Sequence, residues 1–178
     1  PKDVDEAWLR SARHLHATGV FPAISETSLQ AAIHTMDVMR AAGRTISFDT
    51  NLRPTLWPSA EVMRHWINHM ASLADWVLPG IEEGLLLTGE STAEGIARFY
   101  RDRGAKLVVV KLGAAGAYFD GLDCGTGYVE GFPVEKVIDT VGAGDGFAAG
   151  VVSALLEGKT VPEAVRRGAW IGARAVQV

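Results

Sequence analysis

Apolar and polar positions along the chain alternate between helical spacing and the short runs of strands. Residues 5–13 carry helical spacing, and His14 to Val20 reads as a short strand. Thr27-Ser28-Leu29-Gln30 has the spacing of a capping box and predicts a helix bearing Ile33, Met36, Val38 and Met39, ended by Gly43. Thr45 to Asp49 is the next strand. Pro58-Ser59 opens a helix with Val62, Met63, Trp66, Ile67 and Met70. Asp75 to Leu78 is a strand stopped by Pro79-Gly80, and Glu82 to Leu87 is a short helical stretch. Ser91-Thr92-Ala93-Glu94 predicts a second capping box and a helix to about Arg103. Leu107 to Lys111 is an apolar run of the kind buried on both faces of a sheet. Ala117 to Asp120 and Tyr128 to Phe132 read as antiparallel pieces, and Val134 to Ile138 as a further β-prone run. Helices over about 144–157 and 161–175 follow, with Pro162 in the first turn of the second.

Strands alternating with helices of this length predict an α/β domain whose mostly parallel sheet is covered on both faces. Ligands of such sheets bind beyond the carboxyl ends of the strands. The polar segments fall at those ends: Asp49-Thr50-Asn51, Pro79-Gly80, Lys111-Leu112-Gly113, and the stretch from Asp139 onward.

Composition narrows the function. With 178 residues, 48% hydrophobic and 21% charged, the chain suits one soluble domain. A net charge of −4 gives no electrostatic footprint for nucleic acid or an anionic membrane. Cys124 is the lone cysteine, which excludes an internal disulfide and fits a reducing cytoplasm. No apolar run approaches the ~20 residues of a membrane span.

The most informative stretch is Asp139-Thr140-Val141-Gly142-Ala143-Gly144-Asp145-Gly146-Phe147. Its small residues allow a sharp turn, and the N–H groups that then open a helix lack intrahelical partners and face the positive end of its dipole. That is an anion site suited to phosphate. Asp145 would repel such a ligand unless it acts on it, for example by taking a proton from a hydroxyl that attacks the phosphate. A tight turn with Asp145 as a mere cap is the plainer alternative. In the second stretch, Asp49 to Trp57, Asn51 offers donor and acceptor and Arg53 a planar fork for a carboxylate or phosphate, while Trp57 reads as a core anchor. His14 with His16, and His65 with His69, have metal-like spacing, but neither pair has a third ligand nearby and both read as structural or exposed.

The string Asp-Thr-Val-Gly-Ala-Gly-Asp-Gly-Phe closely resembles the signature of the PfkB (ribokinase-like) carbohydrate kinases. The resemblance implies a ribokinase-like three-layer α/β/α fold with a mostly parallel sheet. Residues 1–178 are read as a single, partial domain of that family, a C-terminal portion with the N-terminal strands, the Gly-Gly sugar motif and the β-lid absent. It implies ATP and Mg²⁺ as cofactors, a small-molecule sugar acid as substrate, a cytoplasmic homo-oligomer, and neither a nucleic-acid nor a membrane partner. By resemblance Asp145 is the catalytic base, and Gly142, Ala143 and Gly144 stabilise the transferring phosphoryl group. The segment Asp49 to Trp57 is similar to that of the 2-keto-3-deoxygluconate kinases, with the 5-dehydro-2-deoxygluconate kinases second. Arg53 would then meet the substrate carboxylate or the phosphoryl group, and Asn51 the phosphates. Lys111, Gly113 and Gly116 resemble a nucleotide loop. Glu83 corresponds to a glutamate that acts on Mg²⁺ through water, although Gly80 replaces the motif's asparagine. Asp139 corresponds to a K⁺-binding aspartate of some relatives, against the favoured reading of a hydrogen bond to its own turn. Ala169 replaces an asparagine often found near adenine.

Overall fold

A computed structural model describes residues 4–177. Among these, six strands form one sheet whose spatial order follows the chain: β1 (His14–Thr18), β2 (Thr45–Asp49), β3 (Trp76–Val77), β4 (Leu107–Lys111), β5 (Gly116–Gly121) and β6 (Gly125–Glu130). The first four run parallel, with Leu15 opposite Ile46 and Phe48 opposite Val77. The β4–β5 and β5–β6 pairs are antiparallel. The helices are α1 (Glu6–Ser11), α2 (Glu26–Ala41), α3 (Ala60–Leu73), α4 (Ile81–Thr88), α5 (Ala93–Arg101), α6 (Ala143–Leu156) and α7 (Val161–Ala175).

The pleat sends successive side chains of a strand to opposite faces, and the core divides accordingly. Phe48, Val77, Val108 and Val110 join Met36, Ile67, Ile96 and Tyr100 from α2, α3 and α5. Leu107, Val109 and Phe119 join Phe147 and Val151 of α6 and Val165 of α7 on the other face. The result is the expected three-layer architecture. Each buried Leu, Ile, Val, Phe or Met contributes roughly 1.5–3 kcal/mol relative to exposure.

Several local expectations shift. The cap of α2 is Ser25, not a box beginning at Thr27: Ser25 Oγ accepts from the Ser28 amide at 3.1 Å, and Ser28 Oγ from the Ser25 amide at 2.9 Å. Thr92, one residue into the second predicted box, caps α5 through the Gly95 amide. Glu94 instead receives the Tyr128 hydroxyl. The last strand begins at Gly125 and ends at Glu130, so it does not reach Phe132.

The β-prone run Val134 to Ile138 is not a strand. Pro133 removes a ladder donor just before it, and Val137 and Ile138 stand exposed. The segment is a loop, tied to the end of α7 where the Ile138 amide donates to Val176 O at 2.8 Å. The signature stretch therefore enters α6 from a loop and not from a strand.

Candidate active site

Strand β2 ends in three polar residues that the sheet buries unusually well. Asp49 is 1% exposed and Thr50 fully buried. Asp49 Oδ1 accepts from Lys111 Nζ at 2.7 Å and from the Asn51 amide at 3.2 Å. Glu83, in the first turn of α4, receives three hydrogen bonds. Its Oε1 takes the Leu52 amide at 2.7 Å, and its Oε2 takes the Thr50 hydroxyl at 2.7 Å and the Gly80 amide at 2.8 Å. Burial pushes the Asp49 carboxyl above its ordinary value, against the pull of the Lys111 ammonium. Burial also acts upward on Glu83, but attraction to Lys111 and the bonds from Thr50, Gly80 and Leu52 outweigh it, leaving Glu83 below its ordinary value.

Helix α6 starts opposite. Gly142 is its N-cap with φ of 81°, a left-handed conformation that a side chain would strain. Each of the other six helices has a side-chain oxygen accepting an amide at its N-terminus: Asp5, Ser25, Ser59, Glu83, Thr92 and Glu163. The N-terminus of α6 has none. The Ala143 amide reaches Thr140 O at 3.3 Å, whereas the amides of Gly142, Gly144 and Asp145 have no acceptor among the described residues. Free amides at the positive end of a helix 14 residues long are suited to an anion. Lys111 Nζ lies 3.7 Å from where a Cβ on Gly144 would stand, so a fixed positive charge sits beside that turn.

The two halves meet through Asn51, whose Nδ2 donates to Asp145 Oδ1 at 3.2 Å. Asn51, Arg53 and Asp145 line one open cleft of about 630 Å³, with His16 and Thr18 from β1 and the Val152 side of α6. Arg53 is exposed and donates to Leu52 O at 2.9 Å; its guanidinium makes no ion pair among the described residues.

Of the residues singled out from the sequence, Asn51, Arg53 and Asp145 line that cleft, and Lys111 stands beside the Gly142–Gly144 turn. Lys111, Gly113, Gly116, Gly142 and Gly144 are not among its lining residues. Gly113 and Gly116 have positive φ, and a Cβ on Gly116 would come within 2.0 Å of Val129 O, so the β5–β6 hairpin accounts for its size. Asp139 accepts the Val141 amide at 2.9 Å within its own turn. Among the described residues no group of three or more His, Cys, Asp or Glu is placed to hold a metal ion. Both Glu83 oxygens accept hydrogen bonds from the protein.

Sequence reasoning gave no role to Asp49 or Thr50, and read His16 only as half of a histidine pair. His16 Nδ1 is bonded to Ser47 Oγ at 2.7 Å, as is His14 Nε2 at 2.8 Å. The alternation of His14 and His16 on β1 was the available signal that both face one side of the sheet.

The family described as pfkB family carbohydrate kinase matches residues 1–178. The chain is 53% identical over 170 residues to a 2-dehydro-3-deoxygluconokinase of Bacillus subtilis (strain 168), covering 96% of this chain and 52% of that protein. A crystal structure of a PfkB protein from Polaromonas sp. JS666 superposes with a TM-score of 0.93 at 71% identity, over 99% of this chain and 57% of that one. A putative ribokinase II from E. coli, solved in complex with ATP and Mg²⁺, gives a TM-score of 0.88 at 29% identity, over 99% of this chain and 56% of that one. The chain spans about half the length of the curated relatives it matches.

Proposed function

Because the chain belongs to the pfkB family of carbohydrate kinases, we propose that it supplies the phosphoryl-transfer centre of an ATP-dependent sugar-acid kinase acting on 2-keto-3-deoxygluconate. The observation that carries this reading is that Asp145, in the first turn of the uncapped helix α6, lines one cleft with Asn51 and Arg53. The similarity to a 2-dehydro-3-deoxygluconokinase at 53% identity supports the substrate, which is the same compound under its other name.

In the proposed reaction the primary hydroxyl oxygen of the sugar acid bonds to the γ-phosphorus of ATP. The bond from that phosphorus to the β,γ-bridging oxygen breaks, ADP leaves, and the hydroxyl proton passes to the Asp145 carboxylate. The free amides of Gly142 and Gly144 donate to the phosphoryl oxygens as charge develops, and they are already aimed, so little reorganisation is needed. Mg²⁺, carried on the nucleotide, neutralises phosphate charge when bound. Asn51 holds the Asp145 carboxylate toward the cleft. Arg53 is a cation available for the substrate carboxylate, since it lines the cleft and no carboxylate among the described residues pairs with it.

A coupled ADP-release assay on the full-length enzyme tests this. We expect turnover with 2-keto-3-deoxygluconate, and Arg53→Lys should raise KM for that acid about tenfold while changing KM for a neutral alcohol analogue far less, because Lys keeps the charge but loses the fork. Equal effects on both substrates would assign Arg53 to the phosphates or the fold. Absence of turnover with any sugar acid would overturn the substrate class.

A further inference from the structure

The residues between β2 and the cleft are restrained more heavily than a loop of three needs. Asn51 has φ of 32°, the one non-glycine residue with positive φ among those described. Its neighbours on both sides and its own amide are all bonded to carboxylates, buried Asp49 and half-buried Glu83. The Thr50 hydroxyl and the Leu52 amide go to Glu83, and the Asn51 amide goes to Asp49. Lys111 closes the cluster: it is paired with Asp49 at 2.7 Å, and its positive charge also acts on Glu83. Neither carboxylate lines the cleft; Asn51 does, and it holds Asp145.

We propose that Asp49 and Glu83, joined by Lys111, form a clamp that sets the conformation of residues 50–52 and through Asn51 positions the Asp145 carboxylate. Glu83 in this account is a positioning residue for the base and not a residue that serves a metal ion. The proposal rests on reading Asp145 as the base, and deepens it. The physical reason is the count of bonds. The Glu83 carboxylate accepts three hydrogen bonds, one of which (from Gly80) also closes the first turn of α4, so moving it toward a solvated ion would leave buried Thr50 and two amides unpaired. A left-handed Asn is a strained conformation that persists where its surroundings over-determine it, and five hydrogen bonds to two carboxylates do so here.

Glu83→Gln in the full-length enzyme separates the possibilities. A Gln amide keeps one acceptor oxygen but turns an NH₂ toward donors, so the clamp loosens with little change in volume. We expect kcat to fall about tenfold, the factor of one charge-assisted hydrogen bond, with the Mg²⁺ concentration for half-maximal rate unchanged within about twofold. Asn51→Ala combined with Glu83→Gln should be no slower than Asn51→Ala alone, since both act through one contact. Amide hydrogen exchange of the unliganded protein should speed up over residues 50–53 in Glu83→Gln and stay unchanged in β4 and α6. A large rise in the Mg²⁺ requirement, additive losses in the double variant, or unaltered exchange over 50–53 would each overturn the clamp. If Glu83→Gln does not fold, Thr50→Val removes one bond to Glu83 at constant shape, and the same cycle and exchange are read on it. Near wild-type kcat in Asp145→Asn would remove the base reading and leave the exchange result standing, so the two failures are distinguishable.

Discussion

Asn51 and Asp145 are 94 residues apart in sequence, yet their side chains share a hydrogen bond, and the site depends on groups of this kind whose state is set by what surrounds them. His14 shows the same dependence away from the cleft. Its ring stacks on Trp76 at 4.9 Å, and its two nitrogens bond to Thr45 and Ser47 at 2.8 Å each. Burial, helped by the charge of His16 and opposed by Asp75, brings its pKa from 6.5 down to about 4. A depressed value favours the neutral ring in the folded state. Its contribution is therefore fully present above 6.5 and is lost as pH falls from 6.5 toward about 4. The Tm of the wild type should drop across that window, and His14→Phe, which keeps an aromatic ring on Trp76, should flatten the drop by about 4 °C. An identical slope in both proteins would show that His14 does not titrate as described. At this scale the sequence singled out Asp145, which lines the cleft, because the motif that marks it is formed by its neighbours along the chain. The tie of Glu83 to Thr50 and Leu52, and of Asp49 to Lys111, was opaque because these partners lie 31 to 62 residues away.

Helices α6 and α7 pack with their backbones close together, and small residues allow it. A Cβ on Gly150 would lie 2.7 Å from the Gly168 Cα and 2.9 Å from its amide nitrogen. Two effects of Gly150→Ala oppose each other. Helix propensity favours Ala by about 1 kcal/mol, while forcing a methyl into backbone costs about 1–3 kcal/mol because no side chain can move aside. Contact should win: the variant should unfold at lower urea with the m-value retained, and a gain in stability would refute the close approach. Element by element, Leu107–Lys111 was legible because an apolar run has few alternatives, and Ser59 because it directly precedes a periodic stretch. Val134 to Ile138 misled because β propensity says only that a segment suits a pleated surface, and no strand lies beside it to pair with. Ser25 was passed over for Thr27 because both spacings offer a hydroxyl and only the extended backbone at Ser25 chooses between them.

Across the whole molecule, each face of the sheet has its own core, and the strand ends converge on one edge where β2, β4 and α6 meet. The alternation of elements made the layers readable from sequence, as were the antiparallel pieces after β4, whereas the strand order is a property of tertiary packing. That arrangement brings a buried carboxylate–lysine pair under an uncapped helix start and places Asp145 on the cleft side of it. The central claim is that Asp145 removes a proton while the α6 amides bind the phosphoryl group, two tasks assigned to different atoms. Asp145→Asn separates them, since it deletes the base and keeps both the amides and an acceptor for Asn51. In the full-length enzyme, kcat measured beside equilibrium ATP affinity should fall by about 10² or more while affinity stays within about threefold. A kcat near wild type, or a loss of ATP binding that accounts for the whole defect, would contradict the account.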